Sequence, residues 1–594
     1  MPAKSKDKII FILLGMLTGI FLVASTILGI KIIKKSHIPV RYDTTQLLSK
    51  FQKDNYGLFV ASSLDRIFED GKTLLKPTFS ESASLSLAKN EYESFQVVLR
   101  AGPNELKSVW LEVSDLIDET TGAKLPKENI SWRVVGYVPT KQPYYPVKYV
   151  GLWPDPLLSA KKLNIQSGIT QPFWMTVYIP SEIPAGNYKG SIKVMADGLP
   201  PRQIPLSVYV YNFVLPKENH LKTAFDFYGH ITKVRYPQGE RETEVAYQGR
   251  IEGLNDKFII EMLTYRMNPI LNIDPMSQGE LGAVDRYRWY GLNNFSIGKK
   301  GGTFNNNWPI PDVDVENLLD LYRTYGEILK LNRMLQYTYI YTWDEGDIGN
   351  PRVSKLCSMI HRAHPGLKNM VCYHGFWEPE ENSEWGRDID IWSFQIDTFD
   401  EKKMRRLQEL GKEIWMYASG PSGNGSPNLA MDFDSIDYRI IPWLCWKYDI
   451  KGFLYWCVNW WTLVDPFKSA VNSQWEQNGN GLLFYPGENG PLASIRSEIF
   501  RDGMEDYEYI QLLIQKIKES KKRGLEAANK NIIDESIKIL TIDKSIADSM
   551  TSFTKDGEVL KARRDAIAKK IEEFDRFLAN SNTSSQIPQN ETSP

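Results

Sequence analysis

After Pro216 the sequence alternates strand-like runs with helical periods, a rhythm that few architectures accommodate. Eight strand candidates begin near Thr223, Pro269, Trp289, Leu335, Asn369, Asp388, Glu413 and Gly452. Helical periods lie between several of them, among them Val315 to Leu331, Val353 to Ala363 and Glu401 to Leu410. Strands separated by helices pair in parallel, because a parallel connection must cross the sheet. Eight such units over about 280 residues suit a (β/α)8 TIM-like barrel. The second and fifth connections carry the weakest helical pattern.

The segment before the barrel has a different pattern. Glu93 to Arg100, Phe173 to Ile179, Gly190 to Val194 and Leu206 to Phe213 read as strands punctuated by Pro, Gly and Asn. No long helical period intervenes, so residues 58–216 are expected to form a β-sandwich domain. The barrel then takes 217–515, and 516–578 form a helical extension. The Ser/Asn/Thr/Pro-rich tail 579–594 is expected to be disordered. At the other end, Ile9 to Ile30 is an uncharged, mainly apolar run with Lys4, Lys6 and Lys8 before it and Lys31, Lys34 and Lys35 after it. At about 1.5 Å per residue it would span a hydrocarbon core of about 30 Å. The expectation is one N-terminal transmembrane signal anchor over 1–35 and a tether over 36–57.

The formal net charge of -2, with no basic stripe, argues against a nucleic-acid partner. Cys357, Cys372, Cys445 and Cys457 form no C-x-x-C pair and read as buried free thiols. No H-E-x-x-H or G-x-S-x-G motif appears, which removes the usual support for metalloprotease and serine-hydrolase readings. No metal or cofactor is expected.

Chemistry concentrates at Tyr341-Thr342-Trp343-Asp344-Glu345, where the most strand-like run of the chain ends on two adjacent acids. Buried carboxylates are costly unless a site uses them. A barrel active site lies at the carboxyl ends of its strands, where these acids fall. The same two acids could instead open a loop and cap the next helix. Asp226 and Tyr228, Asn272 and Asp274, Tyr373 and His374, Trp392 and Gln395, Tyr417, and Trp456 and Asn459 stand at or near the ends of other strands. Successive side chains of a regular strand point to opposite faces. Asp344 and Glu345 can therefore share a substrate only if the backbone leaves β geometry between them. Neighbours so close suit poorly a two-carboxylate mechanism, which wants at least about 5 Å between the groups. They suit substrate assistance, in which the 2-acetamido oxygen of the sugar replaces the enzyme nucleophile.

Several stretches carry a resemblance: Tyr341 to Glu345, Trp415-Met416-Tyr417, Asp437-Tyr438-Arg439 with Trp443, Gly452 to Trp461, and Ser494-Ile495-Arg496 with Arg501 to Tyr509. Over residues 60 to 515 the chain resembles glycoside hydrolase family 123, whose characterised activity is β-N-acetylgalactosaminidase. The resemblance implies the same sandwich-then-barrel architecture. It implies Glu345 as general acid/base and Asp344 as the residue orienting the acetamido group. By the same resemblance Tyr417 donates to the acetamido carbonyl and Trp456 is a sugar platform, with Trp392 and Asn459 also in the substrate-binding set, to which Asp226 is added from its place at the end of the first strand. One departure is Gly346, where the family pattern usually continues with Pro. The Arg501 to Tyr509 segment lies on a helix and reads as structural. The expected function is removal of terminal β-linked N-acetylhexosamine, GalNAc by the resemblance, with retention of configuration. The partners expected are a glycan substrate and a membrane reached through the N-terminal helix, with the bulk of the chain extracytoplasmic because a sugar hydrolase meets its polymer there. Hydrolysis of a different sugar on the same scaffold, and a non-catalytic glycan-binding or envelope-structural role, stay open at this point.

Overall fold

Alternating burial builds the first half of the chain. Arg202–Val214 buries every second residue over most of its length, as a strand half-covered by a core does. The computed structural model describes residues 41–53, 55–298, 312–345, 349–375, 385–462, 464–471 and 476–584. The chain divides into Met1–Arg41 and Tyr42–Pro594, and everything below belongs to the second unit.

Two sheets form the β-rich domain. One has six strands, in the order Gln52–Lys53, Tyr56–Ser62, Glu91–Ala101, Thr170–Ile179, Ile130–Pro139 and Leu152–Leu158. The path of the other runs Leu163–Ile165, Leu106–Val113, Gly186–Met195, Arg202–Val214 and Ala83–Lys89, with two short strands beside it. Pairing is antiparallel except between Arg202–Val214 and Ala83–Lys89. Inner-face residues of both sheets, such as Val97, Leu99, Phe173, Ile192, Leu206 and Val208, share one core. Strands begin at Gln52, ahead of the expected start at residue 58.

The second half is a parallel near-barrel. Seven regular strands occupy it: Lys222–Phe225, Phe295–Ser296, Thr338–Trp343, Asn369–Tyr373, Ile391–Gln395, Glu413–Ala418 and Gly452–Tyr455. The first pairs in parallel with the last. The remaining gap is spanned by residues 269 to 273, through isolated parallel bridges of Phe225 with Pro269 and of Ile273 with Ile297. The second of the eight expected strands is thus reduced to bridges, and Asn272, at a φ of 51°, shows why a regular ladder does not run there. The third strand lies at Phe295, not near Trp289, which caps the helix Gln278–Arg288 and is exposed. That helix fills the second connection despite its weak pattern. Among the described residues the fifth connection has none.

Aromatic residues fill the barrel. Tyr339, Tyr341, Trp415 and Tyr417 point inward with Met370, Cys372, Ile391 and Leu454. Trp415 needs the bare backbone opposite it, since a Cβ on Gly452 would stand 2.2 Å from its ring. At the floor, Glu413 accepts from Lys222 at 2.9 Å and from Lys368 at 3.0 Å.

Helix Ile495–Lys522 locks the two halves together. Its first sixteen residues are buried without a break. Arg496 is fully buried and holds Asp155 of the sandwich through two hydrogen bonds, 2.9 and 2.8 Å. Arg439 and Trp443 both bond Asp506, and Arg439 also reaches Glu93. Arg564, on the terminal helix Gly557–Ser584, pairs with Glu91 and Glu93. Arg439, Trp443, Arg496 and Asp506 lie in stretches that carry the family resemblance, and with Asp155, Glu91, Glu93 and Arg564 they form a buried ionic seam between sandwich, barrel and terminal helix. The terminal helix continues past Leu578, where the extension was expected to end.

The expected membrane-anchored fold is corrected here. No helix among the described residues is long and apolar enough to cross a membrane. The run Ile9 to Ile30, on which the anchor rested, lies outside the described residues, as do Gly346 and the tail from 585, and the membrane-anchored placement has no support in a spanning helix among the described residues.

Candidate active site

The fourth barrel strand solves the problem posed by two adjacent acids. Its ladder with Asn369–Tyr373 slips by one residue: Tyr341 pairs with Met370, but Trp343 pairs with Val371. This bulge at Thr342 reverses the alternation beyond it. Tyr341 faces the barrel interior, Trp343 turns outward into the core against the helices, and Asp344 comes back to the inner side. The Tyr341 hydroxyl donates to Asp344 Oδ1 at 2.8 Å. Regular alternation would then send Glu345 outward. Its backbone instead takes a left-handed φ of 45° while its N–H still reaches the Cys372 carbonyl at 3.1 Å. The carboxylate swings inward, and Tyr417 donates to its Oε1 at 2.9 Å. A non-glycine residue at such a φ costs about 1–2 kcal/mol.

The surroundings grade from dry to wet. Burial pushes the hydroxyls of Tyr341 and Tyr417 well above the usual phenol range, with Cys372 and the two acids adding to the effect. Both therefore remain protonated donors toward their carboxylates. Glu345 keeps 42% of its side-chain surface open. Its Oε2 lies 3.3 Å from His374 Nε2, and His374 Nδ1 lies 2.5 Å from Gln395 Oε1. His374 and Gln395 end the fifth and sixth strands. Both stood among the strand-end residues of the sequence, but only their convergence on Glu345 singles them out.

Four other expected site residues divide by position. Trp456, half-buried at the end of the eighth strand, donates from its indole to Asn480 Oδ1 at 2.7 Å. A Cβ on Gly481 would meet its ring at 2.4 Å, so the indole lies against bare backbone. Asn480 in turn bonds Gln477, which donates to the hydroxyl of Tyr144 at 2.7 Å. Tyr144 comes from the sandwich and is 65% exposed. The sandwich thus reaches the loops beyond the eighth strand, a contribution with no signal in the sequence. Asp226, just past the first strand, is buried, and its backbone pairs with Tyr455 and Val458.

Asn459 is fully buried, and its amide is turned to protein backbone. It accepts from the Tyr228 N–H at 3.0 Å and donates to the Tyr228 carbonyl at 3.1 Å, tying the loop after the first strand to that after the eighth. Trp392 lies on the outer face of the sixth strand, 2% exposed, packed against Tyr373 and Trp385. Counting back by twos from Gln395 places Ser393 and Ile391 inside and Trp392 outside. The structure therefore brings Asp344, Glu345 and Tyr417 together, sets Trp456 on the rim, and keeps Trp392 on the far side of the sheet. Among the described residues no cluster of His, Cys, Asp and Glu is arranged to hold a metal ion.

Two family models match the chain. One, described as the catalytic domain of glycoside hydrolase 123, covers residues 316–513. The other, described as the N-terminal domain of glycoside hydrolase 123, covers residues 63–196. No curated protein matches it. Among solved structures, a family 123 glycoside hydrolase from Clostridium perfringens, described in terms of glycolipid glycan hydrolysis, superimposes with a TM-score of 0.65 at 16% identity. The match covers 89% of this chain and all of that one, which establishes a shared fold. A family 39 glycoside hydrolase from the gut symbiont Bacteroides cellulosilyticus WH2 is matched at a TM-score of 0.32 and 9% identity, over 70% of this chain and 81% of that one, too distant to support any argument.

Proposed function

The chain belongs to glycoside hydrolase family 123, and on that premise we propose that it removes terminal β-linked N-acetylhexosamine, GalNAc in particular, by a retaining, substrate-assisted mechanism. One observation carries this reading. The bulge at Thr342 and the left-handed Glu345 turn two neighbouring carboxylates to the same barrel mouth, each held by its own buried tyrosine hydroxyl.

In this reading Glu345 gives a proton to the glycosidic oxygen as the bond to C1 breaks onto that oxygen. The 2-acetamido carbonyl oxygen closes on C1 from the other face. Asp344 accepts the acetamido N–H, which aligns the carbonyl and offsets the charge that develops on the ring formed. Water then opens that ring at C1 and returns a proton to Glu345. Two displacements at C1 leave the configuration unchanged. Tyr341 fixes Asp344. Tyr417 holds Glu345, its one hydroxyl proton would turn to the acetamido carbonyl once the sugar is bound, and Trp456 offers an apolar face to the sugar. Asp226 lies at the first strand end as a candidate contact to the sugar hydroxyls.

The test compares aryl N-acetyl-β-galactosaminide, the matching glucosaminide and an aryl β-galactoside, which lacks the acetamido group. Cleavage of the first, with retention seen by NMR and no cleavage of the third, is the expected result. Efficient cleavage of the galactoside would rule out substrate assistance and point to a different sugar.

A further inference from the structure

His374 and Gln395 approach Glu345 from the two neighbouring strand ends. Gln395 donates from Nε2 to the Gly420 carbonyl at 3.4 Å and to Ser419 Oγ at 3.1 Å. A carbonyl only accepts, so the amide group of Gln395 faces Gly420 and its oxygen faces His374. At 2.5 Å from that oxygen, His374 Nδ1 must carry a hydrogen. A neutral His374 consequently presents a bare Nε2 lone pair to Glu345 Oε2, 3.3 Å away. Tyr417 already donates to Oε1. Two acceptors now face each other, and the arrangement is satisfied only when one proton lies between them.

Resting on the reading of Glu345 as the acid, we propose that His374, its tautomer fixed by Gln395, is a positioning residue that loads Glu345 with the proton it donates. A bound substrate that displaces water from the pair favours its uncharged form, with the shared proton on Oε2 and none on Nε2. After donation, the proton taken from water restores the one-proton state. The other titratable groups around the pair, among the described residues, are Asp344, Tyr341 and Tyr417 on the inner face, Cys372 beside both phenols, and Asp397 beyond Gln395. Burial raises the carboxyl of Asp397 above its usual range. Both tyrosines stay protonated through the working range, so a limb of the pH profile that moves on substitution of His374 reports the pair and not a phenol.

Two measurements on the full chain decide the matter. In the first, histidine-labelled protein is followed by NMR, with His374→Gln identifying the signal. Neutral His374 should show the Nδ1–H form, and its titration midpoint should fall by about one pH unit in Glu345→Gln, which removes the charge opposite Nε2. An Nε2–H form, or a midpoint indifferent to Glu345→Gln, would overturn the proposal whether or not the substrate has been identified correctly. In the second, the alkaline limb of kcat/KM on aryl N-acetyl-β-galactosaminide should move down by about one unit or more in His374→Gln and up in Gln395→Glu. A uniform loss of rate with an unmoved limb would reduce His374 to packing. Failure of the unaltered chain to cleave the substrate would count against the functional reading and leave the NMR result to judge the pair.

Discussion

The Glu345 N–H reaches the Cys372 carbonyl at 3.1 Å although Glu345 itself is left-handed. The ladder between the fourth and fifth strands therefore runs to its last residue, and only the side chain is redirected. Strain of this kind persists where neighbouring structure fixes it, here the ladder on one side and Tyr417 on the other.

Glu345→Gln should leave the thermal midpoint within about 2 °C and lower kcat by about 10²–10⁴-fold, the range a general acid supplies. Glu345→Gly should be just as inactive but no less stable, because glycine adopts that φ freely. Calorimetry beside steady-state kinetics checks both. A Glu345→Gly protein much less stable than the glutamine variant would mean that the left-handed turn is not strained.

How much of this was legible from residues alone depends on what each feature needs. The barrel strands at Asn369, Glu413 and Gly452 follow from hydrophobic runs bounded by helical periods, and the acids follow from their place at a strand end. The bulge at Thr342 leaves no mark in the sequence, because it is set by pairing with a partner strand 27 residues away. Trp392 shows the converse: its identity suggests sugar binding, while strand parity places it among Tyr373 and Trp385. The second barrel position failed as a regular strand because Asn272 breaks the extended backbone.

The two faces can be told apart by substitution. Trp456→Ala should raise KM about tenfold, corresponding to about 1.4 kcal/mol of lost stacking, with stability little changed. Trp392→Ala should lower stability by about 3–5 kcal/mol, as loss of a buried tryptophan does, with KM unaffected in the folded fraction. Saturation kinetics and urea unfolding separate the outcomes.

Arg496 joins the sandwich to the platform. It holds Asp155 and also donates to the carbonyls of Leu429, at 2.8 Å, and Gly479, at 2.7 Å, the latter next to Asn480. Arg496→Met should cost about 3–5 kcal/mol by leaving Asp155 buried without its partner, and Asp155→Asn combined with Arg496→Met should recover part of that. KM should rise as the 477–481 loop loosens under Trp456. Unfolding curves of the single and double variants test the coupling.

Acid should weaken the barrel floor. Burial alone would raise the Glu413 carboxyl, but Lys222 and Lys368 outweigh it and hold it at about 2, below its ordinary 4.5. The folded value is the lower one, so the stabilisation is present above pH 4.5 and is lost as pH falls from 4.5 toward 2. Its upper bound is about 3 kcal/mol. Glu413→Gln should flatten stability across that window in urea titrations at stepped pH.

The most direct test of the central claim incubates the chain with aryl N-acetyl-β-galactosaminide and aryl β-galactoside, beside Glu345→Gln and Asp344→Asn. Hydrolysis of the first sugar alone, abolished in the first variant and crippled in the second, is the predicted result. Equal hydrolysis of both sugars, or full activity in Asp344→Asn, would contradict a mechanism in which Asp344 holds the acetamido group for attack on C1.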